Sequence, residues 1–221
     1  MGLDMYMFKV SKVKDMTADE VLATAGYIDY LNRPEEYADS SFADWCGGNM
    51  DLVRKDKLDE VKKLIHKNYC AWDTDKKYGH DEVTTDVAYW RKANAIHNWF
   101  VENVQNGNDD CGRYPVSEDQ IKDLFDVVMR VRKSCKLIDG EVVNGYTFKD
   151  GKEIPNIEKG KIVEDPTLAK ELLPTTSGFF FGGTNYDQWY VDDLDETLRQ
   201  LTDIIATTDF DKEIVFYQSS W

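Results

Sequence analysis

The chain has 221 residues and a mass of 25.6 kDa, with 42 acidic against 27 basic side chains and a net charge of −15. That charge repels nucleic-acid phosphates over the whole surface and no basic stripe interrupts it, so general nucleic-acid binding is excluded. With 10 Phe, 12 Tyr and 6 Trp the chain is too aromatic for a solvated coil, and its longest uncharged run, residues 172–186, is broken by Pro174, Gly178, Gly182 and Gly183, which excludes a membrane span.

In chain order, residues 1–10 alternate as a strand, with Leu3, Met5 and Met7 on one face and Asp4, Tyr6 and Phe8 on the other. Thr17 and Glu20 form a capping box that opens a helix to about residue 31, where Asn32 and Pro34 stop it. A second helix is predicted over about 50–68 on the stripe Leu52, Val53, Val61, Leu64 and Ile65, and a third over about 86–106, closed by Gly107. Ser117 and Gln120 make another capping box for a helix to about 136, with Ile121, Leu124, Phe125, Val128, Val131 and Cys135 inward. The cations Arg130, Arg132, Lys133 and Lys136 complement the dipole at its end.

Residues 137–165 carry Asp139-Gly140, Asn144-Gly145, Asp150-Gly151 and Pro155, turn signals that predict a hairpin-rich excursion or flap without long elements. Asp165 and Pro166 then open a short helix. The segment 177–184, SGFFFGGT, reads as a glycine-bounded strand, 188–207 as a fifth long helix and 213–221 as a closing strand. The expected architecture is α+β in a single domain. About five helices pack on a small, mainly antiparallel sheet that includes the N- and C-terminal strands and the Phe179–Phe181 strand.

Two segments are candidates for chemistry. Projected as one helix with Trp90 at zero, residues 86–106 place Tyr89, Ala93, Ile96, His97, Phe100, Val101 and Val104 within an arc of about 140°. His97 lies inside that apolar arc, Asn94 on its edge, Arg91 and Asn98 just beyond, and Trp99 on the opposite, wet side. Either His97 and Asn94 hydrogen-bond to fix the packing, or Trp90, Arg91, Asn94, His97 and Asn98 line a cleft in which Arg grips an anion and Trp offers a stacking face. The second segment is 177–190, where Gly183 and Thr184 feed a helix N-terminus through Tyr186 and Asp187. Free N–H groups there can hold an anion, and Phe180 and Trp189 supply aromatic surface. Gly-Gly-Thr lacks both the Walker lysine and the G-x-G-x-x-G spacing, so no nucleotide cofactor is implied.

Other chemistries have thinner support. His66, Cys70, Cys46 and His80 lack paired zinc-ligand spacing, so no metal is expected. No local signature marks a Cys–His nucleophile, and among 42 carboxylates no pair stands out. The four cysteines, Cys46, Cys70, Cys111 and Cys135, show no C-x-x-C, and Asp4 interrupts any signal-like N-terminus, which points to a reduced, cytoplasmic protein.

The segments MGLDMY, YWRKANAIHNWFVENVQ and LLPTTSGFFFGGTNYDQWY resemble a family of small proteins of tailed bacteriophages and prophages that carries no assigned activity. The resemblance runs from the first residue past Trp189 and is vaguest over 137–165. It implies a phage accessory protein in the host bacterial cytoplasm, where such genes often blunt host defence.

The leading expectation is a non-enzymatic sponge for a small anionic, nucleotide-like ligand, such as a cyclic nucleotide or an ADP-ribose derivative. Its cations would be Arg91, Lys92 and Arg113, and its largest pocket would be lined by Trp90, Arg91 and Tyr186. The alternatives are a nucleotide-processing enzyme with His97 as acid–base group, and a protein–protein inhibitor of a host enzyme anchored by Trp99. Trp221, Trp99 and the Phe179–Phe181 strand also leave apolar surface that a homodimer would bury, unless Trp221 folds back on its own core.

Overall fold

The structure is a computed structural model and describes residues 2–33, 35, 41–42, 49–68, 80–149, 151–178 and 181–221. It is α+β, with six helices among the described residues and mainly antiparallel sheets. The chain divides into two compact units. One comprises Met1–Met7, Val87–Thr208 and Val215–Trp221, and the other Phe8–Asp86 and Asp209–Ile214.

The main sheet contains β1 (Asp4–Ser11), β4 (Thr84–Arg91), β5 (Tyr114–Val116) and β8 (Glu213–Ser220), in the order β4-β1-β8-β5. The expected N- and C-terminal strands are therefore neighbours in one sheet. Leu3, Met5 and Met7 are fully buried as the alternation requires, but Phe8 on the other face is buried too. β5 pairs antiparallel with β8, Tyr114 opposite Tyr217, and Pro115 is tolerated because β5 is an edge strand. At the other edge the Gln200 amide accepts from the Tyr89 N–H at 2.6 Å and donates to the Tyr89 carbonyl at 3.0 Å, standing in for a missing strand.

In the larger unit α3 (Asn94–Asn103) is followed by α4 (Glu118–Ser134), the hairpin β6 (Leu137–Lys149) and β7 (Lys152–Val163), then α5 (Thr167–Leu172) and α6 (Gln188–Thr207). The Ser117–Gln120 capping box forms, and α4 packs Ile121, Leu124, Val128 and Val131 inward against α6. The Asp165 carboxylate accepts from the Thr167 N–H at 3.0 Å, with Pro166 one position ahead of the helix. In the smaller unit the Thr17–Glu20 box opens α1 (Ala18–Asn32), followed by the short α2 (Leu58–Lys62) and the pair β2 (His66–Asn68) and β3 (His80–Glu82).

Four sequence expectations are corrected. The predicted helix over 50–68 is two short 3₁₀ turns, Met50–Leu52 and Lys55–Lys57, then α2 and β2. The ladder with β3 claims its last residues. The predicted helix over 86–106 is two elements. Residues 84–91 bury Ala88 and Trp90 but not Tyr89 or Arg91, a period of two, and the chain turns at Lys92 (φ 62°) before α3 starts. Residues 137–165 hold the two longest strands among the described residues. Only residues 150–151 separate them, Gly140 and Gly160 face each other in the ladder, and Gly145 (φ 80°) lies in a register shift between Val143 and Tyr146. The described part of 177–184 forms no strand, because its carbonyls bond to a side chain, as described below. Phe179 and Phe180 lie outside the described residues.

Trp99 is also corrected. It is 8 % exposed and its ring packs edge-on against Phe100, since seven of the ten α3 residues, Trp99 among them, are buried and only Glu102 and Asn103 are exposed. The inhibitor reading thus loses its anchor. Among the described residues no helix is long and apolar enough to cross a membrane, and no group of His, Cys, Asp or Glu could hold a metal ion. Cys46, Cys70 and the His80 side chain lie outside the described residues.

Candidate functional site

A cavity of about 890 Å³ opens in the larger unit, within the range of small-molecule sites. Four stretches distant in sequence line it: Arg91 to Ala95, Val143 to Tyr146, the 175–185 loop, and the start of α6 from Asp187 to Asp193.

Asn94, 4 % exposed, builds the loop wall. Its amide donates to the carbonyls of Phe181 (3.2 Å) and Gly183 (2.8 Å), and its side-chain oxygen accepts from the Thr176 N–H at 3.1 Å. Below it Gly182 (φ 92°) lies against Lys92. A Cβ on Gly182 would come within 3.1 Å of the Lys92 Cβ, so the close approach needs glycine. Lys92 is itself left-handed, a strained state for a side chain other than glycine, and its N–H bonds to the Leu3 carbonyl at 2.7 Å.

Arg91 and Lys92 are exposed, line the cavity and form no ion pair among the described residues. Asp187 caps α6, its carboxylate accepting from the N–H groups of Trp189 (3.0 Å) and Tyr190 (3.3 Å). Burial pushes its proton affinity up against those two bonds. Asp192 accepts from the Gln188 side chain at 2.7 Å. Asp193 receives no hydrogen bond at its carboxyl among the described residues. Burial first, and then the charges of Asp192 and Asp187, push its pKa up to about 7. The aromatic lining residues Trp189 and Tyr146 are 50 % and 61 % exposed.

The expected site residues thus separate. Arg91, Lys92, Asn94, Gly183, Thr184, Asp187 and Trp189 line this cavity. Trp90 does not. It is 3 % exposed and its indole donates to the Thr197 hydroxyl at 2.9 Å. Tyr186 lies behind the wall, where its hydroxyl accepts from the Thr175 N–H at 3.2 Å. Asn98 is half-buried and Arg113 exposed, and neither lines the cavity; Phe180 lies outside the described residues.

His97 belongs to the core, 1 % exposed. Its Nε2 faces Asp109 at 3.1 Å and its Nδ1 the Tyr217 hydroxyl at 2.7 Å. With the Nε2 proton donated to the carboxylate, Nδ1 accepts from Tyr217, and both ring nitrogens are engaged. The same Asp109 accepts from the Trp221 indole at 3.0 Å, and Phe181 packs edge-on against Trp221, so the C-terminal ring docks on its own chain.

Sequence reasoning missed Asp192, Asp193 and the segment Val143 to Tyr146. No local signal separated Asp192 and Asp193 from the other acids of the chain, and the Asn-Gly at 144–145 marked the register shift rather than a turn. Comparison with models of protein families, with curated proteins and with solved structures finds no match to the chain.

Proposed function

We propose that the larger unit binds a small anionic, nucleotide-like ligand in this cavity and holds it without changing it. The observation that carries the reading is the pair Arg91 and Lys92, cations that form no ion pair among the described residues in a chain of net charge −15, lining one cavity with the half-exposed indole of Trp189. Arginine offers a planar fork for phosphate, and an aromatic face stacks on a base for about 1–3 kcal/mol. The phage resemblance supplies the setting, sequestration of a nucleotide defence signal in a bacterial host.

Calorimetry against inorganic phosphate, nucleoside monophosphates, cyclic dinucleotides and ADP-ribose isomers tests it. At least one nucleotide binds, Arg91→Ala with Lys92→Ala weakens it at least tenfold, and heat denaturation returns it intact. The reading is refuted if no anion in the panel binds, or if the double variant binds as well as the parent.

A second reading is an enzyme: Asp193 lines the cavity with no hydrogen bond at its carboxyl among the described residues, and burial that pushes its pKa up to about 7 suits a general acid. The acid–base group is then Asp193, since the ring nitrogens of His97 are committed. Product instead of intact ligand after denaturation decides for it.

A further inference from the structure

We propose that the cavity selects a ribonucleotide over its 2′-deoxy counterpart, with the Asp193 carboxylate accepting the ribose 2′-hydroxyl. The inference rests on the anion-binding reading above and adds which part of the ligand meets which wall.

The three acids of α6 that line the cavity differ in what they already hold. Asp187 is occupied by two backbone N–H groups, and Asp192 by the Gln188 amide. Asp193 alone of the three has no donor among the described residues, although it is half-buried. A carboxylate partly withdrawn from water without a hydrogen-bond donor is costly, and a ligand that brings a donor recovers that cost. An anionic group cannot fill this role, because Asp187 and Asp192 stand nearby with the same charge. A hydroxyl can.

The same cavity contains two cations that form no ion pair among the described residues, Arg91 and Lys92, and the indole of Trp189. A ligand that satisfies all three needs an anion, a hydroxyl donor and a flat apolar ring in one molecule. A nucleoside monophosphate has these as phosphate, ribose and base, and the 2′-deoxy form gives up one donor. Polymeric RNA brings the same groups, but its phosphate train meets the repulsion of the −15 surface, so the ligand is a free nucleotide.

The test uses the full chain at pH 8, where Asp193 is ionised, with the four ribonucleoside monophosphates, their 2′-deoxy forms and inorganic phosphate. At least one ribonucleotide binds tenfold or more tighter than its deoxy form. Asp193→Ala reduces that ratio below twofold while leaving deoxynucleotide affinity within twofold of the parent. Asp193→Asn, which keeps the shape and one acceptor, gives an intermediate ratio and guards against misfolding. Equal binding of ribo and deoxy forms overturns this inference and leaves the anion site standing. A ratio that survives Asp193→Ala overturns the role of Asp193. Absence of binding by every probe, phosphate included, overturns both readings.

Discussion

Asn94 ties the 175–185 loop to the start of α3, and replacing it measures how much of the cavity depends on one amide. Asn94→Ala removes three hydrogen bonds, each worth about 1 kcal/mol net. Gly183 is exposed, so water replaces the bond to its carbonyl. Phe181 is 6 % exposed, so its carbonyl is stranded at a further cost of about 1–2 kcal/mol. The expected loss is about 3–4 kcal/mol, read as a lower urea midpoint at unchanged slope, together with weaker nucleotide binding. Asn94→Asp sharpens the test. It keeps the shape and the acceptor for Thr176 but turns a carboxylate toward two carbonyl oxygens. Its folded-state pKa is therefore raised, and the variant gains stability as the pH falls toward the ordinary carboxylate range, where the acid can again donate. An Asn94→Ala protein within 0.5 kcal/mol of the parent, with unchanged binding, refutes the reasoning, as does an Asn94→Asp protein with no pH dependence beyond the parent's.

Gly182→Ala is expected to cost about 1–2 kcal/mol and to weaken anion binding by displacing Lys92, while Gly183→Ala, with no atom within 4 Å of the added carbon, is neutral; thermal melts compare them. Folded Asp193 keeps its proton up to about pH 7, well above the ordinary aspartate value of 3.8, so its contribution is full below about pH 4 and is lost as the pH rises through 7. Asp193→Asn removes that loss and is more stable than the parent at pH 8 by on the order of 2 kcal/mol, after discounting for its part exposure; equal pH profiles of the two proteins refute the assignment. Phe148 (72 % exposed) and Ile157 (60 % exposed) share one face of the β6–β7 hairpin, so light scattering at micromolar concentration should give a dimer. Phe148→Glu with Ile157→Glu should return it to 25.6 kDa, and a parent mass of 25.6 kDa refutes self-association.

What local chemistry decides was readable from the residues. Both capping boxes form, α6 runs Gln188–Thr207 as its spacing requires, and Asp187 caps it. The errors fall where two periods fit the same residues. Trp90, Ala93, Ile96 and His97 lie on one helical face, yet Ala88 and Trp90 also alternate with Tyr89 and Arg91, and only the turn at Lys92 separates the two patterns. The glycines of 137–165 misled in a related way, because a glycine admits a register shift or close strand packing as readily as a turn. Asp193 was invisible for a different reason. What distinguishes it is the absence of a donor, and absence of a partner is a property of the folded neighbourhood rather than of the residue or its sequence neighbours.

The charge of the whole molecule and the charge of the cavity act over different distances, and this bears on what kind of binder the site makes. At physiological ionic strength the screening length is about 8 Å, so an approaching anion feels the −15 surface mainly near contact and is not steered inward. Capture is then no faster than an unsteered encounter, and affinity must come from slow release. On the proposed reading, slow release falls to the walls. Asn94 holds the loop, Lys92 and Gly182 press against each other in conformations that few residues adopt, and Asp187 holds the first turn of α6. A preformed wall loses little entropy when a ligand arrives and gives little way when it leaves. The same global charge penalises a polyanion at every phosphate, whereas a mononucleotide presents one phosphate and meets two cations. On the proposed reading, an acidic chain with two cations in its cavity therefore favours a small anion over a polyanion without needing any contact that measures length.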